Sequence, residues 1–156
     1  MEHEKWMRLA VAEARTGVER GQTPFGAIVV REGEVVARGH NEVWATTDPT
    51  AHAEVVAIRR AALALGSIDL GGCVMYTTCE PCPMCAAAIH WSKLDAVCYG
   101  AGIGDAQAAG FSELAVPIDD LYAKGKSRVV LMPRVMQREC AGLFEMWLNH
   151  PAHRGY

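Results

Sequence analysis

CVMYTTCEPCPMCAAAIHWSKLDAVCYG, residues 73–100, decides the fold. Its two ends, CVMYTT (73–78) and AVCYG (96–100), are short apolar runs with valine and tyrosine, and each reads as a strand. Between them PCPMCAAAIHWSK (81–93) starts with proline, which suits a first helical turn, and continues as a helix. A strand, a helix and a strand in this order make a parallel pair joined by a right-handed crossover.

Outward from this unit the pattern repeats its two periods. Residues 4–20 carry Met7, Val11, Ala14 and Val18 at helical spacing and stop before Gly21. FGAIVV (25–30) and EVVARGH (34–40) flank Glu32-Gly33 and read as a hairpin. Val55, Ile58, Ala62 and Leu65 share one face of a helix running from Thr50 to Leu65, which Gly66 ends. SRVVLMP (127–133) is a fifth strand and QRECAGLFEMWL (137–148) a closing helix. Residues 101–126, with their glycines, Pro117 and acidic pair, are the least regular stretch and have room for a small helix. This order implies one α/β domain over residues 1–156, a five-stranded mixed sheet with helices on both faces.

Composition narrows the class. A chain of 156 residues with 51% apolar and 21% charged content folds around a core of its own. A net charge of −3 argues against nucleic acid as the partner, because phosphate backbones are held by excess positive charge. No apolar run approaches the ~18 residues of a membrane span, so no membrane partner is expected. The N-terminal twenty residues are charged and periodic and lack the apolar core of a signal peptide. Six cysteines (73, 79, 82, 85, 98 and 140) without such a signal point to reduced thiols and a cytoplasmic location.

The chemistry gathers at two helix starts. Cys82 and Cys85 stand C-x-x-C in one first turn, and His52 and Glu54 stand H-x-E in another. Zinc takes cysteine and histidine ligands tetrahedrally, with four protein ligands in a structural site and three plus water in a catalytic one. His52, Cys82 and Cys85 are three obvious ligands, and Cys79 competes for the fourth place. A helix N-terminus lowers thiol pKa and so favours the thiolate ligands zinc needs. A carboxylate such as Glu54, beside zinc-activated water, can take a proton and hand it on. Alone, the C-x-x-C could be a redox pair or half a structural site, and the glutamate mere dipole compensation. Together, H-A-E some thirty residues before P-C-P-M-C is the signature of zinc-dependent nucleobase deaminases.

At these residues the sequence closely resembles the cytidine and deoxycytidylate deaminase superfamily, in the branch that contains guanine deaminases, tRNA adenosine deaminases and fungal cytosine deaminase. The matching stretches are PFGAIVV (24–30), Asn41, DPTAHAEVVAIR (48–59), YTTCEPCPMCAAAIHWSK (76–93) and AQAAGF (106–111). The resemblance implies a three-layer α/β/α sandwich and a hydrolase that replaces an exocyclic amino group of a base with oxygen, releasing ammonia. It implies one zinc per chain held by His52, Cys82 and Cys85, with Glu54 as proton shuttle and Asn41 bonded to the base. A homodimer is implied as well.

Within that branch PFGA, CEPCPMC, Trp91 and DAQAAGF look most like guanine deaminase, so free guanine is the expected substrate. Guanine deaminases tend to carry two aspartates after the Gly-Phe, where this chain has Ser112 and Glu113. Glu113 is still suited to accept hydrogen bonds from a guanine N1–H and amino group. Phe25 reads as core more readily than as pocket wall, and Trp91 equally as pocket wall or interface. The tail, NHPAHRGY (149–156), could cover the pocket. The competing readings are adenosine in a tRNA anticodon loop, whose deaminases have a final helix similar to QRECAGLFEMWL, and cytosine or an aminotriazine. From a different class comes a structural zinc module that binds partners and uses Cys79 as fourth ligand.

Overall fold

Glu32 and Gly33 both adopt positive φ, 51° and 77°, the geometry of a type I′ turn that matches the natural twist of a hairpin. In the computed structural model, which describes residues 2–156, this turn joins β1 (Gly26–Arg31) to β2 (Glu34–His40). Helix α1 (Glu2–Glu19) precedes the hairpin, and a short helix α2 (Val43–Thr46) follows it. Then come α3 (Ala53–Leu65), β3 (Cys73–Cys79), α4 (Pro83–Trp91) and β4 (Ala96–Ala101). Residues 101–126 hold two helices, α5 (Ile103–Ala108) and α6 (Ile118–Gly125), where the sequence suggested one. Strand β5 (Val130–Met132) and helix α7 (Gln137–Leu148) close the chain.

The sheet order is β2-β1-β3-β4-β5, antiparallel at β2-β1 and β1-β3, parallel at β3-β4 and β4-β5. The parallel pair of residues 73–101 is therefore the centre of a mixed five-stranded sheet. Alternate residues feed two cores, as the strand period requires. Ile28, Val30, Tyr76 and Cys98 pack with Met7, Ala10, Ala14 and Val18 of α1 and Leu143, Phe144 and Trp147 of α7. Ala27, Val29, Met75 and Val97 pack on the opposite face with Ala53, Ala57 and Ala61 of α3, Ala86 and Ile89 of α4, and Ile118 and Tyr122 of α6. The molecule is a three-layer α/β/α sandwich, and each large side chain fully buried in it stabilises by roughly 1.5–3 kcal/mol.

One strand glycine sets how close α3 can come. A Cβ at Gly39 would lie 2.7 Å from the Ala53 carbonyl oxygen and 2.8 Å from the Ala57 nitrogen. The backbone of α3 thus rides directly on β2, which fixes where that helix begins.

Two helices start later than their sequence patterns suggest. Asp48 Oδ1 accepts from the Thr50 N–H at 2.8 Å, a local turn that keeps residues 48–51 out of α3. In α4, Pro83 occupies the first turn and Cys82 the position before it. No helix among the described residues is long and apolar enough to cross a membrane.

Candidate active site

His52 and Cys82 are the N-cap residues of α3 and α4, with nearly the same extended backbone (φ −64°, ψ 155° and φ −64°, ψ 166°). Neither side chain caps its own helix. They turn towards each other: His52 Nδ1 lies 3.6 Å from Cys82 Sγ and 3.5 Å from Cys85 Sγ. Cys85 reaches the same point from the third position of α4. One ligand atom from each of the three residues lies within 4.8 Å of the others. A tetrahedral zinc with ordinary Zn–S and Zn–N bonds spaces its sulfur and nitrogen ligands about 3.5 Å apart, so the donor set fits the metal in type and in spacing.

Cys79 does not join this cluster. Its buried thiol faces the Gly102 carbonyl oxygen at 3.7 Å, and its proton is held firmly, chiefly by burial. The fourth-ligand role that a structural zinc module would require therefore goes unfilled by Cys79.

Electrostatics prepare the two ligand thiols. A hydrogen bond from Cys85 holds the Cys82 thiol down to about 4, with His52 assisting against burial. Cys85 is correspondingly raised, by that same bond and by burial. Zinc takes both sulfurs as thiolates, and the His52 hydrogen bond favours that form at Cys82. Burial lowers the His52 imidazole, but its hydrogen bond to Cys82 and the charge of Glu54 reverse this and raise it overall.

Glu54 is in the first turn of α3 and 5% exposed. Thr77 of β3 donates to its Oε1 at 2.9 Å, and the Cys85 thiol lies 3.5 Å from Oε2. Burial raises its pKa, partly offset by His52. It is a buried carboxyl that accepts a proton readily beside three metal-ligating atoms. Glu113 is raised too, by burial first and then by the charge of Cys82.

These groups open into a single pocket of about 240 Å³. His52, Glu54 and Cys82 form one wall, Phe25 and Phe111 an aromatic wall, and Glu80, Glu113 and Tyr156 the polar remainder. Phe25 and Phe111 meet edge to face with ring centres 5.1 Å apart. The structure therefore brings Phe25 and Glu113 to the site. It places Trp91 elsewhere: at the far end of α4, 79% exposed, the indole does not line the pocket, because that helix points its start and not its end at the metal ligands. Asn41 is 1% exposed, with Oδ1 accepting from the Val43 N–H at 3.0 Å and Nδ2 donating to Tyr156 Oη at 2.5 Å.

Tyr156 is the residue that local sequence patterns could not single out. Its ring packs against His52, Trp44 and Phe111, and its main-chain oxygen accepts from the Ser112 N–H at 3.1 Å. Arg154 lies over Trp44 at 3.9 Å and anchors the approach. Thr77 lies in the matching YTTC stretch, where the motif assigns it no role, although strand alternation puts it on the α3 side of β3.

Three comparisons bear on this site. Residues 1–101 match the family model described as the cytidine and deoxycytidylate deaminase zinc-binding region. A guanine deaminase of Bacillus subtilis is 40% identical over 157 residues, covering all of both chains. A tRNA-specific adenosine deaminase of Aquifex aeolicus is 43% identical over 101 residues, 65% of this chain and 67% of that one. Among solved structures, a guanine deaminase from Nitrosomonas europaea superposes with a TM-score of 0.86 at 25% identity, over 93% of this chain and 84% of that one.

Proposed function

The chain belongs to the cytidine and deoxycytidylate deaminase family of zinc-dependent hydrolytic deaminases, and we propose that its substrate is a free purine base, guanine, from which it removes the 2-amino group. One observation carries the choice of base: Glu113 lines the same small pocket as His52 and Glu54, so a second carboxyl stands close to the cluster of metal-ligating side chains. Guanine offers a ring N1–H beside its amino group, and a carboxylate is the natural acceptor for that edge. The full-length similarity to a guanine deaminase supports the same reading.

His52, Cys82 and Cys85 would hold the zinc, one per chain. When bound, zinc supplies the Lewis acidity that makes water a nucleophile near neutral pH. Glu54 takes the proton of the attacking water. Thr77 fixes Oε1 by donating to it at 2.9 Å, which leaves Oε2, 3.5 Å from Cys85 Sγ, as the oxygen that exchanges the proton. Glu54 then delivers protons to the ring nitrogen and to the departing amine. Water adds its oxygen to the ring carbon, the carbon–nitrogen bond breaks, and ammonia leaves. Phe25 and Phe111 hold the ring by their aromatic edges and keep bulk water out. Asn41, which does not itself line the pocket, holds Tyr156 in place by donating from Nδ2 to its Oη. The tail closes the pocket over the substrate through Tyr156.

The competing substrate has less support in the pocket. An anticodon loop needs an open, basic approach, whereas here Tyr156 lines the pocket, backed by Trp44, in a chain with net charge −3. The similarity to tRNA-specific adenosine deaminases keeps that reading as the second choice. Trp91, 79% exposed at the end of α4, supplies apolar surface suited to a homodimer contact. Ammonia release from guanine, guanosine, adenine, cytosine and a tRNA stem-loop tests the reading. Turnover of guanine well above the others is the expected result; turnover confined to the stem-loop overturns it.

A further inference from the structure

Helices α5 and α6 both begin without a capping side chain of their own. Their N-cap residues are Gly102 and Pro117, neither of which has a side-chain oxygen to satisfy the free N–H groups of a first turn. One carboxylate from a different element answers both. Glu80, just past the end of β3, accepts from the Ile118 N–H through Oε1 at 3.0 Å and from the Ile103 N–H through Oε2 at 3.4 Å. Its own N–H donates to the Ala101 carbonyl oxygen at 2.8 Å, which fixes the carboxylate against the end of β4. The Ile118 and Ile103 side chains are buried, so the amides are presented to Glu80 by the packing of the chain itself.

The segment between these two anchors, residues 109–117, carries Phe111, Ser112, Glu113 and Leu114 into the pocket. Its inner turns are short-range: the Glu113 N–H donates to the Phe111 carbonyl at 3.0 Å and the Val116 N–H to the Leu114 carbonyl at 2.8 Å. The reach of Glu113 is thus set by where the two ends are tied, together with the Ser112 N–H that donates to the Tyr156 main-chain oxygen at 3.1 Å.

We propose that Glu80 is the positioning residue for substrate specificity: by binding the first N–H of α5 and of α6 at once, it holds the 109–117 segment so that Glu113 meets the base. This rests on the reading of Glu113 as the group that faces the substrate. Glu80 belongs to the C-E-P-C run, yet it neither ligates metal nor shuttles protons; its neighbours in sequence hold the metal while it shapes a different wall.

Glu80→Gln tests this, since the amide keeps one acceptor oxygen and loses the other. Three readouts are taken. KM for guanine rises about tenfold while kcat changes less than about threefold, because binding geometry and not the proton shuttle is disturbed. In a Glu113→Ala background Glu80→Gln adds nothing further to KM, because the residue it positions is gone. Amide hydrogen exchange at Ile103 or Ile118 quickens while exchange in β1 and β3 stays as in the wild type. Glu80→Ala, with no acceptor, produces the same changes to a larger degree. KM effects that multiply independently in the double variant, or unchanged protection at both isoleucines, overturn the proposal. If the wild-type chain deaminates no free base, the substrate reading fails by itself, and the exchange measurement still decides whether Glu80 ties the segment.

Discussion

The Thr77 hydroxyl donates to Glu54 Oε1 across 2.9 Å, and both residues are almost wholly buried. A strand residue thereby fixes the one carboxylate able to shuttle protons beside the metal ligands. A hydrogen bond to a charged group contributes about 1.5–3 kcal/mol. Thr77→Val keeps the shape and loses that bond, so kcat should fall about tenfold or more while zinc content stays at the wild-type level. Steady-state kinetics with metal analysis of the same sample checks both halves.

Glu54→Ala should abolish turnover by a factor of about 10² to 10⁴, the contribution of a positioned general base, and keep its zinc. An unchanged rate of ammonia release would remove Glu54 from the mechanism. Cys79→Ala should retain zinc as well, because its sulfur faces the Gly102 carbonyl. Cys82→Ser should lose it.

The tail gives a separate prediction. Removing residues 152–156 takes away Tyr156, its bond to Asn41 and the Arg154 contact with Trp44. KM should rise by about tenfold or more, since the pocket loses a wall and Asn41 its partner. The melting temperature should fall as well, because the cut leaves two buried donors without their acceptors, Trp147 Nε1–H, which donates to the Arg154 carbonyl at 3.3 Å, and Asn41 Nδ2. Thermal unfolding and kinetics on the truncated chain measure the two effects.

Alkaline stability follows from the thiols away from the site. Burial pushes Cys140 and Cys98 up to about 12 from an ordinary value near 9. Between those limits the folded chain keeps protons that the unfolded chain has released. Stability therefore falls as pH rises through that window, by about 1.4 kcal/mol per pH unit for each such thiol. Cys140→Ala should make the decline shallower. Urea unfolding between pH 8 and 10.5 reads the slope, which is independent of any constant loss caused by the smaller side chain.

How much of this could be read from the chain alone depends on how local each signal is. The H-A-E and P-C-P-M-C runs name His52, Glu54, Cys82 and Cys85 outright, because zinc chemistry demands those side chains at helix starts. The sheet followed from two-residue alternation and from the 73–100 crossover. What escaped depends on tertiary placement. Trp91 sits in the motif helix, but helical geometry carries it to the end that faces solvent. Helices α5 and α6 are short, and packing of Ile103 and Ile118 rather than propensity holds them. Tyr156 meets Asn41 across 115 positions of sequence, and no local pattern announces such a contact.

X-ray absorption at the zinc edge of the purified chain tests the metal centre most directly. Two sulfurs, one imidazole nitrogen and one further light atom from solvent are the expected first coordination sphere, with one zinc per chain. A third sulfur, which Cys79 would have to supply, or protein purified without zinc, would contradict a catalytic site built on His52, Cys82 and Cys85.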